Sequence, residues 1–149
     1  MFKAKWYEDL HLPEDAKMIR DEVFVKEQKF QDEYDDMEVK ALHLVIYDEE
    51  NQPVATARMF PWEENSYKFG RIAVRKPWRG QGLGRILMEE LEKKAVSLGG
   101  KQALIGAQQQ ARGFYEKCGY IAYGDEYYEE YCPHTVSYTH LGRGQEQGQ

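Results

Sequence analysis

Residues 67–107 constrain the fold more than any other stretch, because they read strand, glycine-rich turn, helix, strand. "YKFGRIAV" has the β-branched and aromatic character of a strand. "RKPWRGQGLG" follows, with three glycines in five positions (Gly80, Gly82, Gly84) between basic flanks. "RILMEELEKKAVSLGG" then carries Ile86, Leu87, Leu91, Ala95 and Leu98 at helical spacing, and Gly99-Gly100 supplies a stop. "KQALIGA" is a second strand. A strand, a helix and a strand in succession predict a right-handed parallel crossover, so a purely antiparallel fold is excluded.

The flanking segments complete an α+β reading. "MFKAKWYEDL" alternates, with Phe2, Ala4 and Trp6 on one side, and is expected as a short strand. Pro13, Glu14 and Asp15 open a helix that carries Ala16, Ile19, Val23 and Phe24 on one face. "KFQDEYDDMEVK" is an acidic loop with at most one helical turn. "ALHLVIYD", apolar enough to be covered on both faces, turns through "EENQP" into "VATARMFPW", and "EENS" leads into the strand of the crossover. The result is an antiparallel meander ahead of the parallel unit. Downstream, "QQARGFYEKCG" is a second helix ended by Gly119, and "YIAYG" and "HTVSYTHL" are closing strands. Residues 1–141 are expected as one domain with a mixed central sheet and helices on both faces, and 142–149 as a disordered tail.

Charge narrows the partners. The 149 residues carry a net charge of -6, which disfavours nucleic acid. Yet Lys68, Arg71, Arg75, Lys76, Arg79 and Arg85 lie in a window without one acid. A basic patch in an acidic chain implies one anionic ligand. Cys118 and Cys132 are too few for a disulfide framework, and inert thiols are favoured over a pair. There is no signal peptide and no run long enough to span a membrane, so a cytoplasmic protein without a membrane partner is expected.

Three anion-binding turns compete for the glycine stretch. A P-loop needs Gly-Lys followed by Ser or Thr, and here Gly84 precedes Arg85 and Ile86. A dinucleotide turn needs a third glycine where this chain has Arg85 or Leu87, and an acid that "KQALIGA" does not offer. The third is Arg79-x-x-Gly82-x-Gly84, directly after a strand and directly opening a helix. Glycine there lets backbone N–H groups approach a pyrophosphate, and the helix N-terminus adds unpaired donors and partial positive charge. A glycine turn selected only for tight packing is the alternative.

That third pattern resembles the acyl-CoA-binding motif of the GNAT N-acetyltransferase superfamily. "RIAV" before it and "GFYEKCGY" after the next strand resemble the family's other landmarks, over residues 40–140. "IRDEVFVKEQ", the acids of "DEYDD" and the late Pro133-His134 resemble its ElaA-like, YjcF-like branch. Tyr131-Cys132 ahead of Pro133 depart from that branch, where a smaller glycine-containing turn is usual, and this leaves the acceptor pocket's shape open.

The resemblance implies acetyl-CoA as co-substrate, bound along Ile72, Ala73 and Val74 and at the turn Arg79, Gly80, Gln81, Gly82, Leu83, Gly84 and Arg85. Arg75 and Lys76 are further sources of charge for phosphate. Gln108 is placed to bond the pantetheine amides, or is a plain surface glutamine. Tyr115 matches the general acid for the thiolate, or packs the helix together with Phe114. The base is Glu27, His134 or a water chain, since an amine must lose a proton to attack. His43, inside an apolar strand, is read as structural. Glu129 and Glu130 either attract a cationic amine or lie on a solvated face. No zinc spacing and no serine elbow occur, which favours direct transfer without metal. The expected acceptor is a primary amine on a small molecule, protein or peptide, and a homodimer is open. Two rivals remain: an acyl-homoserine-lactone-synthase-like enzyme, and a non-catalytic acyl-CoA sensor.

Overall fold

The computed structural model describes residues 1–9, 11–28, 35–108, 111–129 and 132–140. They form two compact units. The first comprises Met1–Phe60 and Arg71–Leu91, the second Pro61–Gly70 and the chain from Glu92 on. The chain passes between them within two strands and again within one helix.

In the first unit, β1 (Lys3–Tyr7), β2 (Leu42–Tyr47) and β3 (Pro53–Pro61) pair antiparallel in that order, β2 and β3 being the first two strands of the expected meander, and the C-terminal part of β4 (Ser66–Val74), its third, lies next in order. Leu44, Val45 and Ile46 of β2 are all fully buried, so both faces of this strand are covered. β3 is buried without a break from Val54 to Phe60. Each such Val, Ile or Phe contributes about 1.5–3 kcal/mol by leaving water. Asn51 takes φ 63° in the β2–β3 turn, a conformation asparagine tolerates. Tyr47, on β2, ties this sheet to the first helix. Its hydroxyl donates to Asp15 at 2.6 Å and meets the Tyr7 hydroxyl at 2.5 Å.

α1 (Glu14–Arg20) begins after Pro13, with Glu14 and Asp15 in its first turn as expected. It then widens. Residues Asp21–Glu27 form a π-helix, in which Gln28 N–H bonds Val23 O at 3.0 Å. The predicted apolar face survives this change: Ala16, Ile19, Val23 and Phe24 are all buried. A 3₁₀ turn over Asp36–Val39 is closed by a capping box between Asp35 and Glu38.

α2 (Leu83–Ser97) starts two residues before the arginine expected to open it. Its buried stripe is Leu83, Leu87, Met88, Leu91 and Ala95. Leu98, expected on that stripe, is 48% exposed because the helix has already ended at Ser97. Gly99 takes φ 88° just beyond.

In the second unit the order is β4-β5-β7-β6. β5 (Gln102–Gln108) runs parallel to Ser66–Phe69 of β4, which is the predicted crossover. β7 (Cys132–His140) pairs antiparallel with both β5 and β6 (Ile121–Glu129). Both closing strands are longer than the sequence implied. α3 (Arg112–Lys117) is followed by Gly119 at φ 98°. Gly100 is packing-limited: a Cβ there would lie 2.8 Å from Tyr67 Cδ2 and 2.9 Å from Ala95 O. Among the described residues no helix is long and apolar enough to cross a membrane. The expected tail, 142–149, lies outside the described residues.

Candidate functional site

The glycine turn sits where sequence put it, between the end of β4 and the start of α2. Lys76–Trp78 form one 3₁₀ turn, with Trp78 N–H bonded to Arg75 O at 2.9 Å. Gly80 and Gly82 then take φ 81° and 82°. A Cβ at either would meet nothing within 4 Å, so these glycines serve backbone shape and access rather than close packing. That disfavours the packing alternative. α2 opens with Ile86 N–H bonding Gly82 O at 3.1 Å. The N–H groups of Leu83, Gly84 and Arg85 precede that bond and have no partner inside the helix. No acid occupies the helix's first turn. These features suit a phosphate group.

The side chains around the turn divide. The Leu83 side chain is buried at 2% exposure, so it can offer only its backbone N–H. Gln81, Arg85 and Lys76 are exposed, and among the described residues neither cation forms an ion pair. Arg79 is engaged. Its Nη1 and Nη2 each donate to Glu27 at 2.7 Å, and its Nε donates to Val74 O at 2.8 Å. The hydrogen bond from Arg79 lowers the Glu27 pKa, with burial opposing more weakly. A carboxylate held in this way is a poor proton acceptor. Glu27, expected as base, has both carboxylate oxygens on the Arg79 guanidinium.

Of Ile72, Ala73 and Val74, Ala73 points into the core at 3% exposure and its neighbours are half-buried, as strand alternation requires. Two residues earlier the strand is irregular. Parallel pairing with β5 covers Ser66–Phe69, and Arg71 takes φ 51°. A non-glycine residue in that region stores about 1–3 kcal/mol of strain. Arg71 Nη2 reaches Asp35 at 3.4 Å.

Asp35 belongs to a charge network that sequence reading did not find. Arg20, 1% exposed, donates from Nη1 and Nη2 to Glu38 at 2.9 and 2.6 Å. Arg58 Nη1 lies 3.0 Å from Glu38, and Arg58 grips Asp35 at 2.8 and 3.1 Å. Burial works against the charged form of Asp35, but Arg58 and then Arg71 outweigh it and pull the carboxyl down to about 2. The Glu38 carboxyl is likewise lowered, against burial, by Arg20 and Arg58. Glu38 is thus buried with its arginines, while Asp35 stays partly exposed. His43 accompanies Glu38, buried, with Nε2 3.1 Å from Glu38 O, and burial lowers its pKa. It is structural, as expected.

In the second unit, α3 presents Tyr115 inward and Phe114 outward. Tyr115 is 8% exposed and Phe114 37%, so the residue expected to pack the helix is the more exposed of the two. Their rings meet edge to face at 5.1 Å, and Tyr115 meets Tyr120 in the same manner at 6.3 Å. Among the described residues the Tyr115 hydroxyl has no hydrogen-bond partner. Burial raises its pKa well above the usual tyrosine value, so it keeps its proton. Gln108 and His134, expected in different roles, are direct register partners across β5 and β7. Glu129 ends β6 opposite Cys132, and Glu130 and Tyr131 lie outside the described residues. Cys118 is half-buried. Among the described residues no three His, Cys, Asp or Glu cluster to hold a metal.

Comparison with known proteins identifies the same architecture. The family model for an acetyltransferase (GNAT) domain matches residues 8–136. The chain is 39% identical over 123 residues to an uncharacterised N-acetyltransferase of Bacillus subtilis, YjcF, covering 80% of this chain and 86% of that one. An acyl-CoA N-acyltransferase from Pseudomonas aeruginosa shares the fold at TM-score 0.82 and 24% identity, over 93% of this chain and 99% of that one. Escherichia coli ElaA does so at TM-score 0.80 and 24% identity, over 93% and 99%.

Proposed function

The chain belongs to the GNAT acetyltransferase family, and on that premise we propose that it binds acetyl-CoA at the glycine turn and passes the acetyl group directly to a primary amine. The observation that carries this reading is the turn itself: two glycines at positive φ, open on their Cβ sides, leading into a helix with unpaired N–H groups and no acid in its first turn. Acetyl-CoA brings a pyrophosphate that needs such donors, and a thioester that needs an amine.

Backbone N–H groups from Gly80 to Arg85 hold the pyrophosphate, with Lys76 and Arg85 supplying exposed positive charge. Ile72, Ala73 and Val74 offer strand backbone to the pantetheine arm, and Gln108 a further amide. A backbone N–H on this strand polarises the thioester carbonyl, an oxyanion-type role that requires the donor to be fixed beforehand. The amine nitrogen forms its bond to the carbonyl carbon as the C–S bond breaks. His134 or water takes the amine's proton, Glu27 being withdrawn from that role. Tyr115 donates to the departing sulfur, and its raised pKa keeps the proton on the hydroxyl until charge develops on that sulfur. The family model's span over residues 8–136 supports a single catalytic domain. The low cysteine count supports a cytoplasmic setting.

Acetyl-CoA binding by calorimetry, followed by free-thiol release with a panel of amines, tests the reading. Gly82→Trp should abolish binding and leave the fold intact, and unchanged affinity in that variant would remove the turn from the site. Binding without thiol release for any amine class would favour the sensor alternative.

A further inference from the structure

The residue expected as base and the residue expected as phosphate ligand are each other's partner. Arg79 uses Nη1 and Nη2 on Glu27, at 2.7 Å each, and Nε on Val74 O at 2.8 Å. Four residues earlier Arg75 repeats the arrangement. Its Nε reaches Glu22 at 3.0 Å, its Nη1 reaches Pro53 O at 2.9 Å, and its guanidinium lies 4.9 Å from the Trp78 ring centre. Two ion pairs therefore flank the Lys76–Trp78 turn that leads into the glycines.

The carboxylates reach these arginines because of the π-helix. Glu22 and Glu27 are five residues apart. In an α-helix that separation turns them about 140° away from each other. In an i→i+5 helix residues five apart fall on nearly the same side, which lets both carboxylates meet the arginines. The widened segment is thus matched to a pair of arginines four apart.

We propose that Glu27 and Arg79 are positioning residues: their ion pair braces the glycine turn in the shape that meets the pyrophosphate, and neither touches the ligand. The proposal rests on the reading of the turn as the acyl-CoA site. It follows from where the bonds go. The Arg79 guanidinium is spent on Glu27 and on the carbonyl that ends β4, while Lys76 and Arg85 stay exposed beside the same turn. The pair is half-exposed, with side-chain exposures of 39% and 37%, so its contribution to global stability is small. A competing possibility makes the opposite prediction. If Glu27 merely occupies a phosphate position on Arg79, its removal frees that position and binding tightens.

The test measures coenzyme A affinity, KM for acetyl-CoA, kcat and its pH profile in the wild type, Glu27→Gln, Arg79→Glu and the double swap Glu27→Arg/Arg79→Glu. Glu27→Gln is expected to weaken coenzyme A about tenfold, raise KM for acetyl-CoA in step, and leave kcat and its pH profile unchanged. The double swap is expected to recover most of the affinity lost in Arg79→Glu. Tighter binding in Glu27→Gln would overturn the proposal in favour of competition. A fallen kcat with a shifted pH profile at constant KM would overturn it in favour of a base. A double swap no better than Arg79→Glu would mean that Arg79 meets the phosphate itself. Wild-type protein that fails to bind coenzyme A would overturn the reading of the turn, and the brace with it, before any variant is compared.

Discussion

Replacing Glu38 by Gln should be among the most destabilising single changes that this chain can suffer without changing size. Glu38 is 8% exposed and accepts two hydrogen bonds from Arg20, itself 1% exposed. A glutamine keeps the shape and one acceptor, but it turns an NH₂ group toward a guanidinium and removes the carboxylate charge that both Arg20 and Arg58 face. Breaking a buried pair in this way costs about 3–5 kcal/mol. Removing the other partner, Arg20→Met, should cost less. Glu38 retains Arg58 Nη1 at 3.0 Å, so its charge stays compensated. About 1–3 kcal/mol is expected for that loss. Urea unfolding followed by circular dichroism measures both. With a slope of about 2 kcal/mol per molar urea, Glu38→Gln lowers the midpoint by about 1.5–2.5 M. The double mutant should be less damaged than the sum of the two, because both single changes break the same Arg20–Glu38 contact. A Glu38→Gln cost below about 1 kcal/mol, or an Arg20→Met cost above that of Glu38→Gln, would refute this reasoning and mean that water already screens the pair.

Three further outcomes follow from the structure. Gly100→Ala places a Cβ 2.8 Å from the Tyr67 ring and 2.9 Å from Ala95 O, so overpacking of about 1–3 kcal/mol should appear in thermal unfolding with coenzyme A affinity unchanged. Acid sensitivity should track Asp35: its folded carboxyl is lowered to about 2, so its stabilisation is complete above its unfolded pKa and is lost as pH falls toward 2. The stability difference between wild type and Asp35→Asn should accordingly be widest above about pH 4 and close toward pH 2, and a pH-independent gap would contradict the ion pairs with Arg58 and Arg71. Tyr115→Phe should lower kcat by about two orders of magnitude with little change in acetyl-CoA affinity, and an unchanged rate would leave Tyr115 a packing residue.

Element order was legible because it is written in local periodicity. The alternation at Phe2–Trp6, the helical spacing at Ala16–Phe24 and the strand-turn-helix order at 67–98 each depend on near neighbours. The glycine turn was legible for the same reason. The π-helix was not, because Ala16, Ile19, Val23 and Phe24 are buried in the widened helix and would read identically in a regular one. Burial of Arg20 and pairing of Arg79 with Glu27 depend on partners 18 and 52 residues away, which leave no local mark. The inward turn of Tyr115 in place of Phe114 is a matter of phase, and the six residues of α3 are too few to fix it. A signal for the irregularity in β4 was present: Gly70 inside a strand marks a bend, though it is Arg71 that takes the left-handed conformation.

The π-helix also bears on which changes of length the chain can accept. A wide turn fits one residue more into a revolution than its α counterpart, which is the mark left by a single-residue insertion. Deleting one residue between Asp21 and Glu27 would let the hydrogen bonds revert to the ordinary pattern at little local cost. Ala16 and Ile19 would keep their place in the core, and Glu22 and Glu27, then one turn apart on an α-helix, would still share a face. The wide segment is therefore where this helix can lose a residue, whereas the same deletion in the regular turn before it would rotate the buried face by about 100°.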